Sequence, residues 1–344
     1  MTFEPEFTPE PAPRLSWWER LRQRTAGSRM SVGGDGRGAA GGRRLGRTGL
    51  AILALLVLYY PVGMLWIHTV DDNPDFAPTE PVAPGESRTV ALMAALVERE
   101  VSQHRWTPND PFFIPSYLLD NMPNFQQGLM AAVARVAVEM TDQIGRARGT
   151  SQADPDLERA SGSFRYPGNI WVWDPTISLW PTATSEQQYR AGVRALVSYN
   201  KRLAQGQAVF ERRADNLQAA LERIAADTGS MSATVDQHVA RHAGDLFDLK
   251  VDDVFYANKG RLYVYYLVLR ELGQDYEAVI RERNLSTVWN QMVESFRTAA
   301  LLQPLVVMNG RPDAQLVPSH LTAQGFYLMR ARTQLYEVIN ILLK

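Results

Sequence analysis

Two histidines, His238 and His242, stand four residues apart, a spacing that on a helix sets both imidazoles on one face, as a zinc pair requires. Position 239 is Val rather than Glu, so the H-E-x-x-H pattern of a metalloprotease fails. Asp236 and Asp245 are the acids that could complete a site, but two histidines on a polar helix without a metal are the plainer reading. Asp252 and Asp253, just ahead of Phe255 and Tyr256, have the makings of a carboxylate pair that burial could tune for acid–base work. An acidic doublet at the start of a helix also complements the helix dipole, and that account is the simpler one. Trp171, Trp173 and Trp180 fall between Pro167 and Pro181; such rings could stack on a sugar in a groove, or could pack a loop onto a helical body. No serine lies in a G-x-S-x-G turn. The absence of any Cys removes thiol nucleophiles, disulfides, iron–sulfur clusters and Cys-type zinc sites. Gly36, Gly38 and Gly41 match the G-x-G-x-x-G fingerprint, but no strand pattern precedes them and an apolar span follows, so the match is rejected. We therefore expect no catalytic residue, no cofactor and no metal.

The elements that would position these residues follow from length and patterning. With 344 residues, 45% hydrophobic and 21% charged, the chain can bury a core. Its net charge of -1 conceals nine Arg against five acids in residues 1–49 and an acidic excess beyond, which excludes a basic nucleic-acid surface on the main domain. Leu50–Val70 is an uncharged run that would reach roughly 30 Å as a helix, one bilayer core. It is too long for the core of a signal peptide, and no A-x-A-like cleavage site follows it, so we read it as an uncleaved anchor with Pro61 as a candidate kink. Arg43, Arg44 and Arg47 precede the run while Asp71, Asp72 and Asp75 follow it. That bias places the N-terminus in the cytoplasm and the main domain in the periplasm, with the inner membrane between. The expected organisation is a disordered tail over 1–49, in which Trp17–Arg24 is the one candidate helix, then a span over 50–70. A Pro-rich acidic spacer over 71–86 follows, and a helical domain over 87–344.

After Ser87 almost every apolar pattern has helical period, so the fold class is all-α, a transmembrane helix followed by a multi-helix bundle. Helices are expected over 88–105, 126–148, 186–226, 232–247, 251–272, 275–303 (broken near Asn284) and 319–343. The end signals are Ser185 with Gln188 as a capping box, Asp154-Pro155, and Ser319. The stretch 161–181 resists the pattern, and residues 120–124 read as a turn ahead of the 126–148 helix. Within 186–226, Tyr189, Leu196, Leu203, Phe210, Leu217 and Ile224 recur every seven residues, with Asn200 and Gln207 at adjacent positions of the companion series. This is a heptad seam that either meets another chain, with Asn200 and Gln207 fixing register, or packs inside one long bundle, the reading we favour. Leu262–Leu269 is apolar on all sides and is expected to be the central buried helix.

Several stretches taken together carry a resemblance. Asp120-Asn121-Met122-Pro123-Asn124, Asp154-Pro155-Asp156, Arg213-Ala214-Asp215-Asn216-Leu217, Asp252-Asp253-Val254-Phe255-Tyr256 and Asn309-Gly310 resemble, in order and spacing, the proteobacterial family known as domain of unknown function 2333, over about residues 85–344. The resemblance implies one N-terminal membrane span before a helical domain; it implies no reaction and no site residue. The expectation is a non-enzymatic envelope scaffold, anchored by one membrane span, that binds a protein partner or itself and no nucleic acid. The alternative is a glycan- or lipid-active enzyme or binder that uses the 161–181 aromatics and the 120–125 loop.

Overall fold

The computed structural model describes residues 38–144, 153–173, 179–242, 245, 248, 250–311 and 317–344. Most of the expected tail, including Trp17–Arg24 and Gly36, lies outside them. The chain divides into two units, Met1–Val57 and Leu58–Lys344. Helix α1 (Gly38–Ile67) belongs in part to each, and its Thr48–Ile67 stretch is apolar and long enough to cross a membrane, with mean hydropathy 2.2. Pro61 lies within it.

The second unit is all-helical, and among its described residues the extended pairing is a single antiparallel bridge between Asn309 and Ser319. Its helices are α2 (Arg88–Glu98), α3 (Asn121–Glu139), α4 (Pro155–Phe164), α5 (Ser185–Ala204), α6 (Ala214–His242), α7 (Val251–Asp275), α8 (Glu277–Glu282), α9 (Ser286–Ala300) and α10 (His320–Leu342). Every residue from Leu262 to Leu269 is buried, so α7 is the central helix, packed by α2, α3 and α9. Helix α5 lies against α2 and α4, and α10 against α6 and α9. The closest crossing is between α3 and α7: a Cβ on Gly128 would lie 2.0 Å from the Ala257 carbonyl oxygen, and one on Gly260 2.1 Å from that of Phe125. Only glycine permits the two backbones to meet there.

Local signals set most helix ends. Asp154 accepts from the Asp156 N–H with Pro155 in the first turn, and Ser319 accepts from Thr322. The break near Asn284 is present, with φ 54° at that residue. The capping box belongs to Thr184 and Gln187, one residue ahead of the expected Ser185 and Gln188. Residues 121–124 are not a turn: α3 begins at Asn121, capped by Asp120, and Pro123 is accommodated in its first turn. Of the 161–181 stretch, residues 161–164 complete α4; beyond it the Thr182 N–H donates to the Val172 carbonyl and that of Ser185 to the Ile170 carbonyl, tying an irregular segment in which residues 174–178 lie outside the description.

The long heptad helix over 186–226 is a correction. Helix α5 ends at Ala204, Gly206 turns the chain with φ 68°, and α6 starts at Ala214 and runs unbroken through the gap expected at 227–231. The polar Gln205-Gly206-Gln207 step supplies the left-handed residue a helix stop needs, and the Tyr199 hydroxyl holds the returning strand of chain by donating to the Val209 carbonyl at 2.5 Å. The heptad survives the break because Tyr189, Leu196, Leu203, Phe210, Leu217 and Ile224 are all buried in one core. The pattern therefore records burial within a single chain across two helices.

Candidate functional site

The segment that leaves α1 is expected to be a stand-off spacer, but its first half is clamped onto the helical body. Asp72 is buried and pairs with Lys259 of α7 at 2.6 Å. The Lys259 ammonium also donates to the Ala300 and Leu302 carbonyls at 2.9 and 2.7 Å, and the Gln303 amide donates to the Asp72 carboxylate. Asp71 pairs with Arg99 at 3.1 Å, and the Arg99 guanidinium lies 4.5 Å over the Phe76 ring. The Tyr263 hydroxyl donates to the Asn73 carbonyl, that of Tyr266 to the Pro74 carbonyl, and Arg270 to the carbonyls of Pro74 and Phe76. Burial pushes the Lys259 ammonium below its ordinary value against the opposing pull of Asp72, the balance expected of a cation removed from water and held by one carboxylate. The proline-rich composition suggests a spacer, but the Asn73, Pro74 and Phe76 carbonyls accept from the Tyr and Arg side chains of α7.

The close crossing of α3 and α7 brings their N-termini together. Asp120, the α3 cap, meets Asp252 and Asp253 of the first α7 turn, with one carboxylate oxygen of each lying within 4.8 Å of the others. The Asn124 amide donates to Asp253 at 2.6 Å and to the Asp120 carbonyl at 2.9 Å. Burial, and then the charge of Asp120, raises both Asp252 and Asp253 above the usual carboxylate range. Tyr256 beside them is raised as well, by burial first and then by the acids. Like charges this close oppose full ionisation of Asp252 and Asp253. The residues that carried the family resemblance, 120–124 and 252–256, are thus joined in space.

The remaining candidates have separate surroundings. The rings of His238 and His242 lie 4.9 Å apart, but His238 bonds Asp248 at 2.7 Å while His242 bonds Asp245 at 3.1 Å. Burial works to raise Asp248, yet hydrogen bonds from His238, the Lys250 N–H and Asn309 outweigh it and hold the carboxyl below its usual range. Asn200 is buried and tied to Ser87, accepting from its N–H at 2.8 Å and donating to its carbonyl at 3.2 Å. Ser87 caps α2, and Asp275 of α7 accepts from its hydroxyl and from the N–H groups of Arg88 and Thr89. Asn200 therefore belongs to an internal cap, whereas Gln207 is exposed in the turn after α5. Trp171 is half-buried, edge-on to Phe113 at 5.8 Å, while Trp173 and Trp180 are exposed. Of the features above, Lys259 was missed by sequence reasoning; a cation just ahead of the apolar 262–269 run, with an acidic doublet after the span, was the available signal.

Among the described residues, one apolar helix of membrane-crossing length ahead of a helical body defines the class of architecture. More specifically, the chain belongs to the family described as an uncharacterized protein conserved in bacteria, domain of unknown function 2333, whose profile matches residues 44–248. The match takes in the apolar span, which the resemblance did not, and stops short of 252–256 and 309–310. No curated protein and no solved structure matches the chain.

Proposed function

We propose that the protein is a non-enzymatic scaffold of the bacterial envelope, anchored in the inner membrane by α1 with its N-terminus in the cytoplasm and its helical body in the periplasm. The charge bias around the span supports this orientation. The observation that carries the scaffold reading is the clamp. Asp71, Asp72 and the carbonyls of Asn73, Pro74 and Phe76 lock the segment that leaves α1 to the end of α2, α7 and the loop after α9, so no free tether separates the body from the end of α1. A mobile tether would serve an enzyme that searches for its substrate; a rigid joint serves a module whose placement matters. The buried heptad residues and the internally bonded Asn200 direct the search for a partner away from that seam.

Crosslinking in intact cells, detergent solubilisation and purification of the tagged full chain test this. Near-stoichiometric retention of one protein, or of a second copy, is the expected result; retention of glycan or lipid alone overturns it. The second reading, a glycan- or lipid-active enzyme or binder, draws on the raised carboxyls of Asp252 and Asp253 beside Asp120 and on the exposure of Trp173 and Trp180.

A further inference from the structure

Residues 111–119 read PFFIPSYLL, an uncharged run that the structure turns outward: Phe112, Phe113, Tyr117 and Leu118 are each about half exposed or more, Phe112 reaching 69%. A cluster of large apolar side chains of this kind marks an interaction surface. Its backbone is fixed to α1. The Tyr60 hydroxyl donates to the Phe112 carbonyl at 2.6 Å, the Tyr59 hydroxyl donates to the Phe113 carbonyl at 3.0 Å, and Gly63 lies so close to Pro115 that an added Cβ would be 2.3 Å from its Cγ.

That attachment decides the occupant. Tyr59 sits eight residues before the end of α1 at Ile67, about 12 Å along the helix. If water surrounded the loop, the apolar part of α1 left to cross the bilayer would run from Thr48 to Leu58, roughly 16 Å, about half of a hydrocarbon core. A membrane that α1 crosses must therefore cover the loop as well. The loop's backbone suits that depth. The Ile114, Tyr117 and Leu119 N–H groups donate to the Pro111, Ile114 and Ser116 carbonyls, and the two tyrosine hydroxyls satisfy the carbonyls of Phe112 and Phe113. Non-helical backbone at membrane depth is tolerated where protein buries it, and here it lies against Tyr59, Tyr60 and Gly63 of α1, leaving the side chains to meet lipid.

We propose that Pro111–Leu119 is a membrane-embedded wedge that inserts Phe112, Phe113, Tyr117 and Leu118 into the leaflet on the body's side of the bilayer, with lipid acyl chains as its occupant. The body then sits on the membrane rather than above it, held by α1 and the wedge together. This rests on the anchor reading of α1.

The chain contains no Cys, so single cysteines can report position without background. The full chain carrying Phe112→Cys, Leu118→Cys, Leu55→Cys or Thr287→Cys is labelled with an environment-sensitive fluorophore. It is then reconstituted in phosphatidylcholine–phosphatidylglycerol vesicles and quenched either with nitroxide lipids or with aqueous iodide. The labels at 112 and 118 should show blue-shifted emission, lose most of it to a nitroxide placed high on the acyl chain, and resist iodide, while the label at 287 on α9 should do the reverse. Iodide quenching at 112 and 118, with the Leu55→Cys label still quenched by lipid, would place the loop in water and overturn the wedge alone. Protection from both quenchers would assign the patch to a protein partner or second copy and also overturn it. Failure of lipid to quench the Leu55→Cys label would overturn the anchor reading beneath it.

Discussion

Replacing Asp72 by Asn removes one charge from the clamp and leaves its shape. The Lys259 side chain is 2% exposed and that of Asp72 12%, so the ammonium cannot recover its lost partner from bulk water. The Asn amide group would also meet the donors of Gln303, which now point at the carboxylate. Breaking a buried pair on one side costs about 3–5 kcal/mol, which for a body of this size lowers the melting midpoint on the order of 10 °C. The pH dependence separates this mechanism from simple mispacking. Burial already holds Lys259 below its ordinary value of 10.5, and without Asp72 it falls further. Between the folded value and 10.5 the unfolded chain then binds more protons than the folded one, so stability rises with pH across that window. The deficit of the Asp72→Asn chain should be full below the lysine's depressed folded value and shrink as pH rises through it towards 10.5, because the lysine sheds its proton. Adding Lys259→Met should abolish that recovery. Thermal unfolding of the full chain in micelles, followed by helical circular dichroism at several pH values, makes the measurement. A loss below about 1 kcal/mol, the size of an exposed ion pair, or a deficit that stays constant with pH would refute the reasoning.

Three further outcomes follow from the packing and the acids. Asn200→Leu should cost about 1–3 kcal/mol by orphaning the Ser87 backbone groups, while Gln207→Leu in the exposed turn should stay within about 0.5 kcal/mol; light scattering should show no change of oligomeric state for either. Gly128→Ala drives a methyl into the Ala257 carbonyl and should cost about 1–3 kcal/mol or more by urea unfolding, whereas Gly162→Ala, with open space around its Cα, should be neutral or stabilising. Asp252 and Asp253 titrate above their ordinary value of 3.8 in the folded chain, so the fold binds their protons more tightly than the unfolded chain does and stability falls as pH rises through that window. Asp252→Asn with Asp253→Asn should therefore raise the melting temperature at neutral pH, and the gain should vanish as the acids protonate towards pH 3.8; a gain that persists in acid would count against charge repulsion as its cause.

What could be read from the chain alone was what is local. The 262–269 run, the Asp154-Pro155 and Ser319 caps and the break at Asn284 depend on residues within a few positions of one another, and each appears where its signal lies. The heptad over 189–224 was equally visible but ambiguous, because a seven-residue repeat reports which side is buried and not whether one helix or two bury it; Gly206 was the mark of the break. The pairings that make the candidate site join distant positions: Asp72 with Lys259, Asn200 with Ser87, Asp120 with Asp252 and Asp253. Charge and polarity flag each partner singly, but nothing within a single element names its mate. The acids after the span show the consequence. In the sequence Asp71 and Asp72 stand out only as charge beyond the span; in the fold they pair with Arg99 and Lys259. Composition alone could not tell a joint from a spacer over residues 71–76, because that depends on Arg99 and Lys259, which stand 28 and 187 positions away in the chain from their partners Asp71 and Asp72.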